Sequence, residues 1–190
     1  MGAMMLHGNV HRISADEYDK MAEIGIFPPD ERVELVEGFL ISFAPPQGQQ
    51  HAGMLWGCAE RLRERLQGKA AFWGQMPLIL CDDTVLEPDL ALLVAHDDLY
   101  RRKLPRPADV HAVIEVALSS LISDRTRKLE VYAKSNIIEY WIVDGQNERI
   151  EVYRDPRGAE YASYRLARRG DSVSFAAFPD VVFTVDELLG

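Results

Sequence analysis

In Val113-Ile114-Glu115-Val116-Ala117 a carboxylate interrupts an apolar run that otherwise reads as a buried strand. An ionised carboxylate in such a place is strongly disfavoured unless paired, so Glu115 needs a cation. Asp89 stands directly before Leu90-Ala91-Leu92-Leu93, with Pro88 closing the loop ahead of it, and Glu34 breaks Val33-Glu34-Leu35-Val36 in the same manner. Three hard oxygen donors presented by strands of one sheet suit a divalent cation such as Mg2+ or Mn2+, which takes carboxylates and keeps several waters. Asp124, Lys128 and Tyr132 follow at i, i+4 and i+8, on one face of a predicted helix that can look back at those acids. A lysine ammonium there can orient a nucleophilic water and stabilise charge on a phosphoryl oxygen. Equally, Asp124 and Lys128 can be an exposed helix pair worth about 0.3 to 0.5 kcal/mol, with Tyr132 in the core, and spacing alone leaves both readings open. His51, at the head of another helix, is a base or phosphate contact in principle, but a lone histidine near a helix start is ordinarily a cap or surface residue.

The elements that must position these groups are legible in outline. Ser14-Ala15-Asp16-Glu17 has the form of a capping box opening a helix over about 15–24, ended by Gly25. Two strand-like runs, 33–36 and 39–43, flank Glu37-Gly38 and predict a hairpin. A loop at Pro45-Pro46-Gln47-Gly48 leads to a long amphipathic helix carrying Leu55, Ala59, Leu62 and Leu66. Strands are predicted at about 71–80, 89–94 and 110–116, then a helix at about 124–135 and a strand at 137–143. Asp144-Gly145-Gln146-Asn147 turns the chain into 150–153, two short strands lie near 161–166 and 172–176, and Thr184-Val185-Asp186-Glu187 opens a terminal helical turn. The order predicts one α/β domain over 14–190 with a mixed central sheet flanked by helices, preceded by a tail over 1–13 whose Met1-Gly2-Ala3-Met4 looks like a cloning remnant. Trp56, Trp73 and Trp141 fall in apolar periodic segments and read as core.

A hydrophobic fraction of 47% and a charged fraction of 27% supply a core and exclude a disordered chain. No run is long and apolar enough to span a membrane, and the first ten residues do not have the order of a signal peptide, so a cytoplasmic protein is expected. Cys58 and Cys81 lack any Cys or His cluster and read as buried thiols rather than a disulfide or zinc site. The net charge of -9 disfavours indiscriminate phosphate binding, yet residues 101–134 carry eight basic residues against four acidic ones. That segment is a polyanion footprint or a solvated surface.

Taken in order, Val33-Glu34-Leu35-Val36-Glu37-Gly38, Glu87-Pro88-Asp89-Leu90-Ala91, Val113-Ile114-Glu115-Val116-Ala117-Leu118-Ser119-Ser120, Asp124-x3-Lys128-x3-Tyr132 and Ile138-Glu139-Tyr140-Trp141-Ile142-Val143-Asp144 resemble the Uma family of the PD-(D/E)xK nuclease superfamily, across roughly residues 14–187. The resemblance implies a restriction-endonuclease-like fold and a metal-dependent nuclease acting on nucleic acid, DNA in the first instance. By that resemblance Pro88-Asp89 matches the motif's first acid, Glu115 the second and Glu34 an early acid. Asp89, Glu115 and the Val116 carbonyl would hold Mg2+ or Mn2+. The superfamily expects lysine two residues beyond the second acid, where this chain has Ala117, and Lys128 matches the position from which the family supplies it. Gln75 resembles a site-facing residue, Asp124 and Tyr132 supports. Arg101, Arg102, Lys103 and Arg106, between two strands that carry the acids, are the candidates for the DNA backbone. The alternative is an inactive relative that keeps the fold as a binding or assembly module, which Ala117 and the acidic charge favour. A homodimer is expected by analogy with such nucleases, with 33–66 as its candidate interface.

Overall fold

The computed structural model describes residues 9–28, 31–43 and 48–190. The Met1-Gly2-Ala3-Met4 segment and Pro45-Pro46-Gln47 lie outside the described residues. α1 (Ala15–Glu23) starts on the expected capping box, Ser14 Oγ accepting from the Glu17 N–H while the Glu17 carboxylate accepts from the Ser14 N–H. β1 (Arg32–Val36) and β2 (Phe39–Phe43) pair antiparallel about Glu37-Gly38, both at positive φ (48° and 79°), as a two-residue turn matching the strand twist requires.

α2 (Gly48–Leu66) is followed by β3 (Ala71–Trp73), β4 (Leu78–Cys81), β5 (Thr84–Leu86) and β6 (Leu90–Leu93). The strand expected over 71–80 is thus two strands. Gln75 sits at φ 51° and Pro77 follows, so the backbone cannot stay extended, and β3 and β4 join different sheets. β7 (Val110–Ala117) leads into α3 (Leu121–Ser123), a π-helical turn at Asp124–Lys128 and α4 (Leu129–Lys134), which together carry the chain over to β8 (Glu139–Asp144). β9 (Arg149–Arg157), β10 (Glu160–Arg168), β11 (Ser172–Phe175), β12 (Phe178–Thr184) and α5 (Val185–Leu189) complete the chain. β12 lies outside the strands that the pattern predicts, its Pro179 and Asp180 masking an edge strand.

The main sheet has the order β10-β9-β8-β7-β6-β3, in which β7 and β8 are the parallel pair, joined by the helical crossover that such a pair requires. A second sheet has the order β2-β1-β5-β4 and a third pairs β11 with β12. Period-two alternation along β7 divides the core. Ala112, Ile114 and Val116 pack with Cys58, Leu62 and Leu66 of α2, and with Trp141, Phe175 and Phe183. Val113 and Ala117 pack with Tyr132, Tyr140, Leu78 and Leu86 on the opposite face. Glu115, between Val113 and Ala117 in that alternation, is therefore directed to the face covered by α4. Of the tryptophans, Trp141 is buried, Trp73 half-buried and Trp56 71% exposed, so Trp56 is not core. Leu55, Cys58, Leu62 and Leu66 define the buried stripe of α2, and Trp56 falls off it. Cys58 is buried as expected, whereas Cys81, last in β4 and turned outward, is exposed.

Candidate active site

Strand ends and one helix bring the acids together. Asp89 lies just before β6, and the register sets Leu90 opposite Ile114, so the Asp89 backbone is beside Glu115. The Asp89 N–H donates to Glu115 Oε2 at 3.3 Å, and the Val116 N–H donates to Asp89 Oδ2 at 2.9 Å. From the helical crossover, Lys128 Nζ reaches Glu115 Oε2 at 2.8 Å and Asp124 Oδ1 at 3.6 Å, and the Tyr132 hydroxyl donates to Glu115 Oε1 at 2.7 Å. Asp124 is held in turn by the Ser120 hydroxyl (2.6 Å to Oδ2), while its backbone carbonyl accepts from Tyr140 (3.1 Å). Asp124 and Lys128 are thus buried and paired around Glu115 rather than an exposed helix pair.

Glu34 is also buried but engages differently. Its Oε1 accepts from Arg32 at 2.9 Å and from the Glu87 N–H at 3.1 Å, while Oε2, fully buried, has no hydrogen-bond partner. Arg32 is two residues earlier on the same strand face and also approaches Glu87 at 3.5 Å. The Glu34 carboxylate contributes, after Glu115, to raising the Lys128 and Tyr132 pKa values. Arg32, which the motifs do not single out, is the cation that β1 supplies, and its i,i+2 spacing from Glu34 is a usable sequence signal.

His51 is the larger departure. It is neither a cap nor a surface residue: its Nε2 lies 3.0 Å from the Val116 carbonyl oxygen and 3.3 Å from Asp89 Oδ2. It precedes Leu55 by one helical turn and continues the stripe of α2 that faces the sheet, a signal the sequence does contain.

The charges of the cluster are mutually dependent. Burial pushes the Glu115 carboxyl up to about 7, against the pull of the Lys128 ammonium. Burial opposes the Lys128 ammonium too, but Glu115 and Asp124 together hold its pKa above the ordinary lysine range. For Asp89 burial is outweighed by the His51 and Val116 hydrogen bonds and by Lys128, so its carboxyl lies below the ordinary range. Asp124 is raised, chiefly by burial. The hydrogen bond to Asp89 raises His51 in spite of burial.

A groove of about 760 Å³, lined by His51, Trp56, Phe72, Gln75, Met76 and Asp89 among others, opens on Asp89. Gln75 is at its wall, with its backbone N–H donating to the Pro88 carbonyl at 3.0 Å. The groove continues through Arg63, Phe72 and Met76 into a second hollow of about 860 Å³ that ends at Leu99 and Tyr100. Arg101, Arg102 and Lys103 come directly after, all exposed. Their loop is rooted at Leu93 and Val110, the ends of β6 and β7 remote from Asp89 and Glu115, so they do not join the acid cluster and meet it only through the groove. Arg106 turns to Asp82 at 3.8 Å, farther still along the loop.

Among the described residues, no three Asp, Glu, His or Cys side chains form a ready metal cage. A hard cation needs fewer, since Mg2+ is usually held by one or two carboxylates and retains water. The donor set fits one: Asp89 Oδ2, Glu115 Oε2, the Val116 carbonyl and the orphaned Glu34 Oε2 are oxygen atoms on adjoining elements.

A profile described as "Uma2: Putative restriction endonuclease" matches residues 15–186. The chain belongs to the Uma2 family. No curated protein matches it. Among solved structures, one described as a "putative nuclease belonging to DUF820" from Anabaena variabilis ATCC 29413 superposes with a TM-score of 0.69 at 16% identity, over 93% of this chain and 97% of that one. That likeness is one of fold, and this Uma2 protein has the restriction-endonuclease-like α/β fold, with a mixed central sheet flanked by helices. No helix of the described residues is long and apolar enough to cross a membrane.

Proposed function

We propose that this protein is a metal-dependent phosphodiesterase that hydrolyses nucleic acid, DNA in the first instance, with Asp89, Glu115 and the Val116 carbonyl holding Mg2+ or Mn2+ and Glu34 assisting. The observation that carries the reading is the Lys128 ammonium 2.8 Å from Glu115 Oε2, with Asp89 hydrogen-bonded to the same oxygen through its N–H. An acid, an acid and a lysine from three separate elements meet there, although Ala117 occupies the usual lysine position. A bound divalent ion would make water acidic enough to supply a nucleophile near neutral pH and would polarise a phosphoryl oxygen. Lys128 then holds the attacking water in line and screens charge on the phosphoryl oxygens. Tyr132 and Asp124 fix the rotamers of Glu115 and Lys128. The groove leading to Tyr100 gives a strand a path to Arg101, Arg102 and Lys103, where phosphate contacts add affinity without reading sequence.

A second reading, an inactive binding module, draws support from Glu115 itself, both of whose carboxylate oxygens already accept hydrogen bonds. Calorimetric titration with Mn2+ of the wild type beside Glu115→Gln separates the two. The enzyme reading expects a site in the wild type that the substitution abolishes, together with metal-dependent cleavage of plasmid or oligonucleotide DNA that also disappears. Absence of Mn2+ binding in both proteins, with and without a DNA duplex present, refutes it in favour of the inactive module.

A further inference from the structure

His51 Nε2 stands 3.0 Å from the Val116 carbonyl oxygen and 3.3 Å from Asp89 Oδ2, the two oxygens that the metal reading places on one ion. Donor atoms bound at about 2.0 to 2.2 Å lie roughly 2.8 to 3.1 Å from their neighbours around an octahedral ion and roughly 3.3 to 3.6 Å around a tetrahedral one. The imidazole nitrogen, hydrogen-bonded to these oxygens in the metal-free chain, therefore also stands where a neighbouring ligand on the same coordination sphere would. We propose that His51 is a nitrogen ligand of the metal centre, so that the site has a mixed N/O donor set and prefers Mn2+ to Mg2+. The inference rests on the metal centre argued above and goes further, to its composition and its selectivity.

Two other features support it. His51 comes from α2, on the face of the main sheet opposite Lys128, so the ion would be gripped from both layers. Its side chain is largely buried, 12% exposed, and α2 is anchored below it by Cys58, Leu62 and Leu66, so the ring is held rather than free to swing into solvent. In the metal-free chain Nε2 carries the hydrogen shared with the two oxygens. Ligation uses the Nε2 lone pair, with the ring hydrogen on Nδ1. Mg2+ favours oxygen donors and dehydrates reluctantly, whereas Mn2+ tolerates an imidazole among its oxygens.

Electron spin-echo envelope modulation of the Mn2+-loaded protein tests this directly, because a coordinated imidazole gives a 14N modulation that oxygen ligands do not. The wild type is expected to show it, and His51→Ala and His51→Gln are expected to lack it while still binding Mn2+ through the carboxylates. Calorimetry on the same proteins should show the ratio of the Mg2+ to the Mn2+ dissociation constant falling about 10-fold on loss of the imidazole, at the low end of what loss of a metal-supporting group costs. Mn2+ bound by the wild type without 14N modulation overturns the inference and leaves the metal centre standing. Failure of the wild type to bind Mn2+ at all overturns both. Retention of the modulation in both variants assigns the nitrogen to another residue and likewise refutes His51.

Discussion

Replacing Lys128 by Met removes one charge and little volume from the centre of the site. Glu115, 1% exposed, loses the ammonium 2.8 Å away, Asp124 loses its partner at 3.6 Å, and the orphaned Glu34 Oε2 remains nearby. Breaking a buried pair by removing one member typically costs about 3 to 5 kcal/mol, because the survivor is left as an uncompensated charge. At an m-value of about 2 kcal/mol/M that is a fall of about 2 M in the urea midpoint. Protonation limits the loss. The Glu115 pKa is already raised by burial, and without Lys128 it rises further, so the folded variant takes up a proton that the unfolded chain, near 4.5, does not hold. Wild type and variant both lose stability as pH rises from 4.5 to about 7, and above that only the variant continues to lose it, by about 1.4 kcal/mol per pH unit, so the deficit at pH 5.5 is about 1 to 1.5 kcal/mol smaller than at pH 8. Adding Glu115→Gln to Lys128→Met removes the stranded charge and should recover most of the loss at pH 8. Urea unfolding followed by the fluorescence of Trp141, stacked on Phe175 at 4.0 Å, provides the assay, run in EDTA so that no cation substitutes for the ammonium. A loss under about 1 kcal/mol, equal at both pH values, would refute the buried pair and with it the lysine's part in the chemistry.

Glu115→Gln alone should flatten the pH dependence of the metal-free protein: the wild type is expected to lose about 3 kcal/mol as pH rises from 4.5 to beyond 7, since ionising a carboxyl whose folded pKa exceeds its unfolded one destabilises the fold, and urea midpoints across that range check it. Arg101, Arg102 and Lys103 replaced together by Ala should lower the slope of log affinity for duplex DNA against log salt by about 2 to 3; an unchanged slope removes the loop from the interface. Moving the lysine, by Ala117→Lys in a Lys128→Ala background, should restore the urea midpoint at pH 8 toward that of the wild type, whereas Ala117→Lys alone should lower it by crowding and like charge.

The range of the interactions involved decides which parts of the fold are legible in the sequence. Capping boxes, the Glu37-Gly38 turn and the alternation of β7 are local, and they place α1, the first hairpin and the central strand to within a residue or two. Carboxylates in apolar runs announce themselves because burial without a partner is costly, so Glu115, Asp89 and Glu34 stand out before any fold is known. The single strand expected over 71–80 fails because Gln75 adopts a positive φ, to which side-chain pattern is blind, and the division into two sheets begins there. His51 looks isolated because its partners, Asp89 and Val116, are 38 and 65 positions away in the chain. Trp56 misleads for the opposite reason: its hydrophobicity suggests core, yet it lies off the stripe through Leu55 and Cys58.

Lys128 reaches Glu115 from the end of the π-helical turn at Asp124–Lys128. A π turn amounts to one extra residue in a helix, and such insertions concentrate at functional sites because they re-aim the side chains beyond them. Each α-helical residue rotates the helix by about 100°, so deleting one here would swing Tyr132 away from Glu115 Oε1 and break the 2.7 Å hydrogen bond that fixes the carboxylate. Asp124 and Lys128, four residues apart, both point inward, and Val131, Tyr132 and Ala133 beyond the turn pack on the sheet. On β7, Glu115 and residue 117 share a face, and an alanine at 117 keeps that face open to the helix above it. A lysine there would have to run along the strand within its own layer to reach Glu115. One delivered from the crossover instead arrives from above, with its stem packed in the apolar layer and its ammonium between Glu115 and Asp124. The small alanine on the strand thus leaves the room in which the ammonium delivered from the crossover sits beside Glu115.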